Sequence, residues 1–266
     1  MGTRVVHFIN PFGTGAYDDL LRRTMEPLCA SNTELRVSHL EDCPRNIDYY
    51  YYRHLMETSL FEAVMRAQEE GAQAVIIGCC FDPGLPHSRE LVDIPVVGPL
   101  EATMALSRLW GYDFVLLTDH RKAVHPIRDL VKLYDMAGRC TSVRAIDWYV
   151  WDMVKQPREV AEQAVAAAVK AREEDGADLV ILACTVIAAC VEGELIQRGL
   201  QLDFPLLNPN TVALKTAEAM ADLHALGRYE IARKGYYGKP QARSAQEFDE
   251  VRATFGAPAR KRRPCG

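Results

Sequence analysis

Short, fully apolar runs alternate along the chain with longer stretches in which apolar positions recur at helical spacing. Ala74 to Gly78 and Leu179 to Ala183 are the clearest apolar runs, and Pro157 to Asp175 is the clearest helical stretch. Strands that are apolar on both faces are typical of parallel sheets covered by helices on both sides. The pattern therefore predicts an α/β fold.

Glycine and proline set the predicted ends of these elements. Strands are predicted at residues 4–9, 35–39, 74–78, 94–97, 114–117 and 179–183. Helices are predicted at residues 16–30, 55–70, 126–137 and 157–175, with a further helix from about Thr211. Pro126 and Pro157 are each expected in the first turn of a helix, where a missing N–H costs nothing.

The chain also contains an internal repeat. Residues 71–79 (GAQAVIIGC) match residues 176–184 (GADLVILAC) at an offset of 105 positions, and residues 94–99 match 204–209 at an offset of 110. We therefore predict two similar α/β halves that face each other, at 1–107 and 108–210. The helix at 211–226 is expected to return to the first half, and 227–266 to form an extension with a mobile end.

Charge and composition narrow the class of protein. The 266 residues carry a formal net charge of -5, with 48% apolar and 25% charged residues. These values are ordinary for a globular protein and argue against nucleic acid as a partner. No apolar run approaches the ~18 residues of a membrane span, and no secretory signal pattern is present. We expect a cytoplasmic protein that binds a small molecule and no membrane; the basic run 260–263 is expected to be solvated or to contact an anionic partner.

Eight cysteines need an explanation. They form no CxxC pair and no zinc-type spacing, so neither a disulfide framework nor a metal site is predicted. No glycine-rich phosphate loop is present, so no cofactor is expected. Cys79 and Cys184, however, follow the matching strands of the two repeats. Because ligands of open α/β sheets bind beyond the carboxyl ends of the strands, both thiols are expected in one cleft.

Two thiols on opposite sides of a cleft suit proton transfer at an acidic carbon beside a carbonyl group. One thiolate removes a proton from one face, and one thiol returns a proton to the other face. A free thiol has a pKa near ~8.5, within reach of neutral pH if its surroundings stabilise the thiolate. The alternative is that both residues are core cysteines that end buried strands.

The motifs around these cysteines resemble the aspartate/glutamate/hydantoin racemase superfamily. They are Asn10-Pro11, Cys79-Cys80-Phe81-Asp82-Pro83-Gly84-Leu85, Pro95-Val96-Val97-Gly98 and Cys184-Thr185. The Cys-x-x-Asp-Pro-Gly-Leu run looks most like the hydantoin and allantoin racemase branch, and the resemblance covers residues 4–225. It implies two pseudo-twofold-related, flavodoxin-like parallel-sheet halves with the active site between them. It also implies a cofactor-independent enzyme with Cys79 and Cys184 as its catalytic pair.

Three segments depart from the branch. Thr185-Val186-Ile187 stands where Ala-Gly-Met is usual, Asn208-Pro209-Asn210 where an Asp-Gly pair is usual, and the opening turn is Asn-Pro-Phe-Gly-Thr. These departures leave the cysteine chemistry in place and leave the substrate open.

Other candidate substrate-binding residues lie at strand ends or beside the two cysteines: Asn10, Cys80, Thr118, Asp119, His120, Thr185 and Asn208. Asn10 is expected either to bond a substrate carbonyl or to form a turn. Thr185 offers an N–H and a hydroxyl to a developing enolate oxygen. The family uses the loop at Thr118 for substrate contacts. The run Tyr49 to Tyr52 with Arg53 is expected to line the mouth of the cleft or to lie half in the core.

The sequence thus predicts a cofactor-independent racemase or epimerase, an isomerase that acts on a small cyclic amide of the hydantoin type and forms a homo-oligomer. Three alternatives stay open. The first is other cysteine-dependent chemistry of the superfamily, such as decarboxylation, cis–trans isomerisation or a ring-modifying lyase or hydrolase step. The second is amino-acid racemisation, and the third is a ligand-binding module without turnover.

Overall fold

The computed structural model describes residues 2–45, 47–199 and 202–256, and its described part contains two four-stranded parallel sheets. The first sheet has the order β2-β1-β3-β4 and consists of β1 (Arg4–Asn10), β2 (Thr33–His39), β3 (Ala74–Ile77) and β4 (Val96–Val97). The second has the order β6-β5-β7-β8 and consists of β5 (Phe114–Thr118), β6 (Cys140–Ala145), β7 (Leu179–Leu182) and β8 (Leu206–Leu207). This matched order confirms the predicted α/β fold of two similar halves.

Helices connect the strands of both sheets. Those in the described ranges are α1 (Asp18–Met25), α2 (Tyr50–Glu69), α3 (Leu85–Leu91), α4 (Pro99–Leu106), α5 (Arg121–Leu133), α6 (Val150–Met153), α7 (Pro157–Asp175), α8 (Thr185–Arg198), α9 (Pro209–His224), α10 (Pro240–Arg243) and α11 (Ala245–Thr254). None of these helices has the length and apolar character needed to cross a membrane.

The strands pair in the same way in both sheets, so the two cysteines occupy equivalent positions in the two halves. In the first sheet β1 pairs with β3, with Ile9 opposite Ile77. In the second sheet β5 pairs with β7, with Leu117 opposite Leu182. Cys79 and Cys184 therefore each stand two residues beyond the last residue of a central, fully buried strand.

The helices that follow the two edge strands cross between the halves. Leu100 and Met104 of α4 share a core cluster with Phe114 and Leu116 of β5. In return, α9 contacts β1, β3 and β4 of the first sheet. The buried face of α9 carries small residues at positions 213, 217 and 221, and this helical spacing lets the helix lie close to the sheet. Each sheet is thus covered in part by a helix of the other half.

Two helices begin earlier than the sequence predicts. Helix α5 starts at Arg121, so Pro126 lies inside it rather than in its first turn. The helix tolerates this proline because the carbonyl it leaves without a donor belongs to Lys122, an exposed residue that water can reach. Helix α2 starts at Tyr50 instead of residue 55. Its tyrosine-rich first turn is mostly exposed and carries no amphipathic pattern.

The segment after α9 lies along the first half. Asp93 pairs with Arg233 at 3.1 Å and with Lys239 at 2.5 Å, and Arg252 of α11 pairs with Glu62 of α2. The basic run 260–263 and Cys265 lie outside the described residues.

Candidate active site

Cys79 is held in a tight turn at the end of β3. The Gly78 N–H donates to the Ile9 carbonyl at 2.8 Å, and the Asp82 N–H donates to the Cys79 carbonyl at 2.9 Å. A Cβ at position 78 would lie 2.3 Å from the Phe8 ring, so only glycine fits beside this ring at the end of β3. The turn leaves the Cys79 side chain 7% exposed.

Cys184 occupies the N-cap position of α8. Its backbone is extended, with φ -154° and ψ 124°. The N–H groups of Val186 and Ile187 in the first turn of α8 act to lower the pKa of its thiol and so favour the thiolate. Cys184 thus lies where helix N–H groups can stabilise a negative charge.

Both thiols line one small cavity, together with charged and apolar side chains from both halves. The charged residues are Asp48, Arg53 and Asp119. The apolar side chains are Phe12, Ile47, Phe81, Val150 and Val186. The sequence predicted the shared site of the two cysteines from the repeat, and the structure places them together.

Burial governs the protonation of both thiols. Burial raises the pKa of Cys79 to about 11, while the charge of Arg53 and the N–H of Phe81 oppose this increase. Burial raises the pKa of Cys184 well above its ordinary value, and the charge of Asp119 adds to it. Both thiols are therefore mostly protonated at neutral pH when the cavity holds no ligand.

Asp48, Asp119 and His120 form a buried polar cluster beside the thiols, and their ligating atoms all lie within 4.8 Å of one another. The ring atom Nε2 of His120 lies 3.6 Å from Asp48 Oδ1. The backbone N–H of His120 donates to Asp119 Oδ1 at 2.8 Å. Burial lowers the pKa of His120, but the bond to Asp48 and the charges of both carboxylates outweigh it and raise the pKa. The two carboxylates thus favour the protonated form of the imidazole. Within the described residues this cluster is also the group best arranged to hold a metal ion.

The other sequence-predicted residues divide into two groups. Cys80, Asp119 and Thr185 line the cavity with the two thiols. The Thr185 hydroxyl already donates to the Gly78 carbonyl at 3.0 Å, so it ties α8 to the turn of Cys79. Because the hydroxyl hydrogen is already used within the described part of the site, the hydroxyl oxygen can only accept a hydrogen bond from a ligand.

The residues of the second group do not line the cavity. Asn10 is fully buried, and its Oδ1 has no hydrogen-bond partner among the described residues. Thr118 bonds Asp119 at 3.0 Å, and His120 belongs to the polar cluster. Asn208 accepts the N–H of Asn210 at 2.9 Å and so caps α9, while its Nδ2 donates to Glu192. The binding roles of these residues stay predictions.

The sequence does not single out Asp48 as a binding residue, and it indicates Arg53 only together with Tyr49 to Tyr52, either at the mouth of the cleft or half in the core; the structure places both charged residues in the cavity wall. Asp48 precedes α2, and Arg53 lies in the first two turns of this helix. The Arg53 guanidinium lies 3.5 Å from the centroid of the Phe81 ring, and its buried Nε has no hydrogen-bond partner among the described residues. The available signal for Asp48 is the run Ile47-Asp48-Tyr49-Tyr50, which resembles a segment of the hydantoin and allantoin racemase branch.

Asp82 orients the turn of Cys79 by capping α4. Its carboxylate accepts the N–H groups of Leu100 at 3.2 Å and Glu101 at 2.8 Å, and the Tyr134 hydroxyl at 2.9 Å. Gly98, the residue just before α4, leaves room for the Asp82 side chain, because a Cβ at position 98 would lie 2.6 Å from Asp82 Cγ. Since Tyr134 belongs to the second half, Asp82 also links the halves.

Asp82→Ala is therefore expected to lower the free energy of unfolding by roughly 3 kcal/mol, since each unsatisfied buried donor costs about 1–3 kcal/mol. Urea unfolding monitored by circular dichroism measures the change. Tyr134→Phe removes one of the three bonds and is expected to cost about 1 kcal/mol. Equal midpoints for wild type and Asp82→Ala would show that the cap is dispensable.

Several known proteins resemble this chain in sequence and in fold. The family model described as Asp/Glu/Hydantoin racemase matches residues 6–217. A hydantoin racemase of Pseudomonas sp. (strain NS671) is 28% identical over 218 residues, which cover 82% of this chain and 86% of that protein.

Two solved structures share the fold. An allantoin racemase from Klebsiella pneumoniae has a TM-score of 0.81 at 24% identity and covers 90% of this chain and 94% of its own. The allantoin racemase of Pseudomonas fluorescens has a TM-score of 0.78 at 24% identity, with 89% and 97% covered. The chain therefore belongs to the Asp/Glu/hydantoin racemase family, as its motifs predicted, and is classed with it as an isomerase.

Proposed function

We propose that the protein is a cofactor-independent racemase or epimerase of a small cyclic amide of the hydantoin type. The proposal rests on one observation: Cys79 and Cys184, from equivalent strand ends of the two halves, line the same cavity. The relatives named hydantoin racemase and allantoin racemase support the substrate class.

In the proposed reaction, the thiolate of one cysteine removes the hydrogen on the stereogenic carbon beside the ring carbonyl. The C–H bond breaks, an S–H bond forms, and the electron pair moves into the carbonyl to give an enolate. The thiol of the other cysteine then donates its proton to the opposite face of the carbon. The backbone N–H groups of Cys80 and Thr185, beside the two thiols, are the candidates that hold the enolate oxygen.

The cavity wall supports a ligand with an apolar substituent. Apolar side chains, among them Phe12, Phe81 and Val150, line the same space as the two thiols. Burying an apolar substituent against them contributes about 25 cal/mol per Å² of apolar surface, which favours ligands that carry such a group. Hydantoins with an apolar group on the stereogenic carbon are accordingly the first compounds to test.

The function is tested by incubating single enantiomers of 5-substituted hydantoins and of allantoin with the protein in D₂O. We expect loss of optical rotation together with uptake of one solvent deuterium at the stereogenic carbon. A decarboxylase would release CO₂ from a malonate instead, and a binding module would give a thermal shift without deuterium uptake. Either of these results, with no racemisation of any compound, would overturn the proposal.

The pH dependence follows from the buried thiols. Because the pKa of Cys79 is raised to about 11, its thiolate fraction increases about tenfold for each pH unit between 7 and 9. The base must be deprotonated, so kcat/KM is expected to rise with pH over this range by a similar factor. Initial rates in overlapping buffers measure the slope, with circular dichroism as a control for folding. A flat profile would show that the substrate meets a thiolate already formed at neutral pH.

A further inference from the structure

The two thiols have equivalent positions in the fold but different electrostatic surroundings. On the side of Cys79 lies Arg53, whose guanidinium is 3.5 Å from the centroid of the Phe81 ring. Phe81 lies two residues after Cys79 in the same turn, and its N–H acts to lower the pKa of the Cys79 thiol. The cation is thus held against the same turn that holds the thiol. Among the described residues, no carboxylate forms an ion pair with this guanidinium at 4.0 Å or less.

On the side of Cys184 lies Asp119, a carboxylate that is 3% exposed. Its Oδ1 accepts the Thr118 hydroxyl at 3.0 Å, and the same hydroxyl lies 3.5 Å from the carbonyl of Ala183. Ala183 immediately precedes Cys184, so this contact sets the distance between the carboxylate and the second thiol. Arg53 and Asp119 also line the cavity that both thiols face.

The remaining charged and titratable groups around the thiols do not cancel this difference. Asp82 and Asp119 each raise the pKa of Cys79 by less than Arg53 lowers it, and the Cys184 thiol raises the pKa values of Cys80 and Tyr17. Asp48 and His120 form the cluster with Asp119, and the two carboxylates raise the pKa of the imidazole. The cation that most favours the Cys79 thiolate is Arg53, whereas Asp119 is the charge that most disfavours the Cys184 thiolate.

We propose that Arg53 and Asp119 are positioning residues that make the two thiols unequal, so that Cys79 loses its proton more readily than Cys184. The catalytic meaning of this assignment rests on the proposed racemase function. The form with its thiolate at Cys79 is then the more populated of the two reactive forms, and it accepts the enantiomer whose hydrogen faces Cys79. The opposite enantiomer requires the less stable form, with the thiolate at Cys184.

Thiol alkylation of the full-length protein tests the assignment without any substrate. Iodoacetamide is added between pH 6.5 and 9.5, and peptide mass spectrometry follows the labelling of each cysteine, with the half-buried Cys140 as internal reference. In wild type we expect Cys79 to react faster than Cys184. Arg53→Gln should slow the labelling of Cys79 about tenfold, as expected for a pKa change of about one unit. Arg53→Lys should restore most of the rate.

Two further variants separate charge from packing. Asp119→Asn should accelerate the labelling of Cys184 several-fold, with a smaller effect on Cys79. Arg108→Gln is the matched control, because the exposed Arg108 guanidinium also lies over an aromatic ring, that of Tyr112 at 5.2 Å, but outside the cavity. It should change neither rate.

Faster labelling of Cys184 in wild type, or an equal change at both thiols in Arg53→Gln, would overturn the assignment. A general loosening of the fold would accelerate the labelling of all cysteines, including Cys140, and the Arg53→Lys variant would not reverse this effect. If the labelling differs as expected but no hydantoin is racemised, the proposed function fails and the charge assignment stands. If racemisation occurs with equal labelling, the assignment alone fails.

Discussion

Replacing either Cys79 or Cys184 with serine is expected to slow racemisation roughly a thousandfold, within the range of positioned acid–base catalysis. A serine hydroxyl is a far poorer base than a thiol at neutral pH, and each cysteine is required on one face of the carbon. Each single variant is nevertheless expected to exchange the hydrogen of one enantiomer, because the remaining thiol still faces that side. Deuterium exchange measured separately for each enantiomer distinguishes these steps.

Cys140→Ser is the control for this pair, because Cys140 lies at the start of β6 and does not line the cavity. It should retain nearly full activity. Full racemisation by either active-site variant would eliminate the two-base mechanism. Loss of activity in only one of the two variants would favour a single nucleophile, and with it a decarboxylase or isomerase reaction.

Gly13→Ala is expected to have the second-largest effect, because position 13 touches the backbone of the segment that leads to the cavity. A Cβ there would lie 1.6 Å from the Cys43 carbonyl oxygen, so the backbone must move. The Gly13 N–H also donates to the Pro44 carbonyl at 3.0 Å. The movement would displace Ile47 and Asp48, which line the cavity. We expect a loss of roughly 3 kcal/mol in stability, at the upper end of overpacking costs, and at least about a tenfold loss in kcat/KM.

Gly138→Ala is the matched control, since nothing lies within 4 Å of a Cβ at that exposed position. It should leave both the unfolding midpoint and the kinetics unchanged. Urea unfolding and initial rates are measured on the same preparations. Wild-type values for Gly13→Ala would show that the segment from Cys43 onward adjusts freely and does not shape the cavity.

The sequence predicts those parts of the fold that depend on local periodicity. The repeat at residues 71–79 and 176–184 is sufficient to predict two buried strands, because a strand that is buried on both faces must be apolar throughout. Both β3 and β7 are fully buried and apolar. The same repeat predicts the shared site of Cys79 and Cys184, because strand ends in facing sheets converge. Pro126 shows the limit of the method: helix α5 includes it at a half-buried position, four residues after the exposed Lys122, and the sequence pattern does not reveal this.

The position of Asp48 and the side-chain position of Arg53 depend on tertiary contacts and could not be predicted in this way, whereas Asp119 follows a predicted strand. Arg53 lies in a helical turn rich in tyrosine, and only the packing of its guanidinium on Phe81 brings it beside a thiol. From the sequence alone, Asp82 suits either a group that orients the loop around Cys79 or a helix cap. The structure shows the cap, which also positions the turn of Cys79.

The crossing of α4 and α9 between the halves has a consequence for the order of events during protein synthesis. The first sheet is complete once β4 has left the ribosome, but α9, which contacts β1, β3 and β4, is made only after all eight strands. Until then, part of the apolar surface of the first sheet faces solvent or a chaperone. The N-terminal half therefore cannot reach its final packing during translation, and a nascent chain that stalls before Pro209 exposes a surface prone to aggregation.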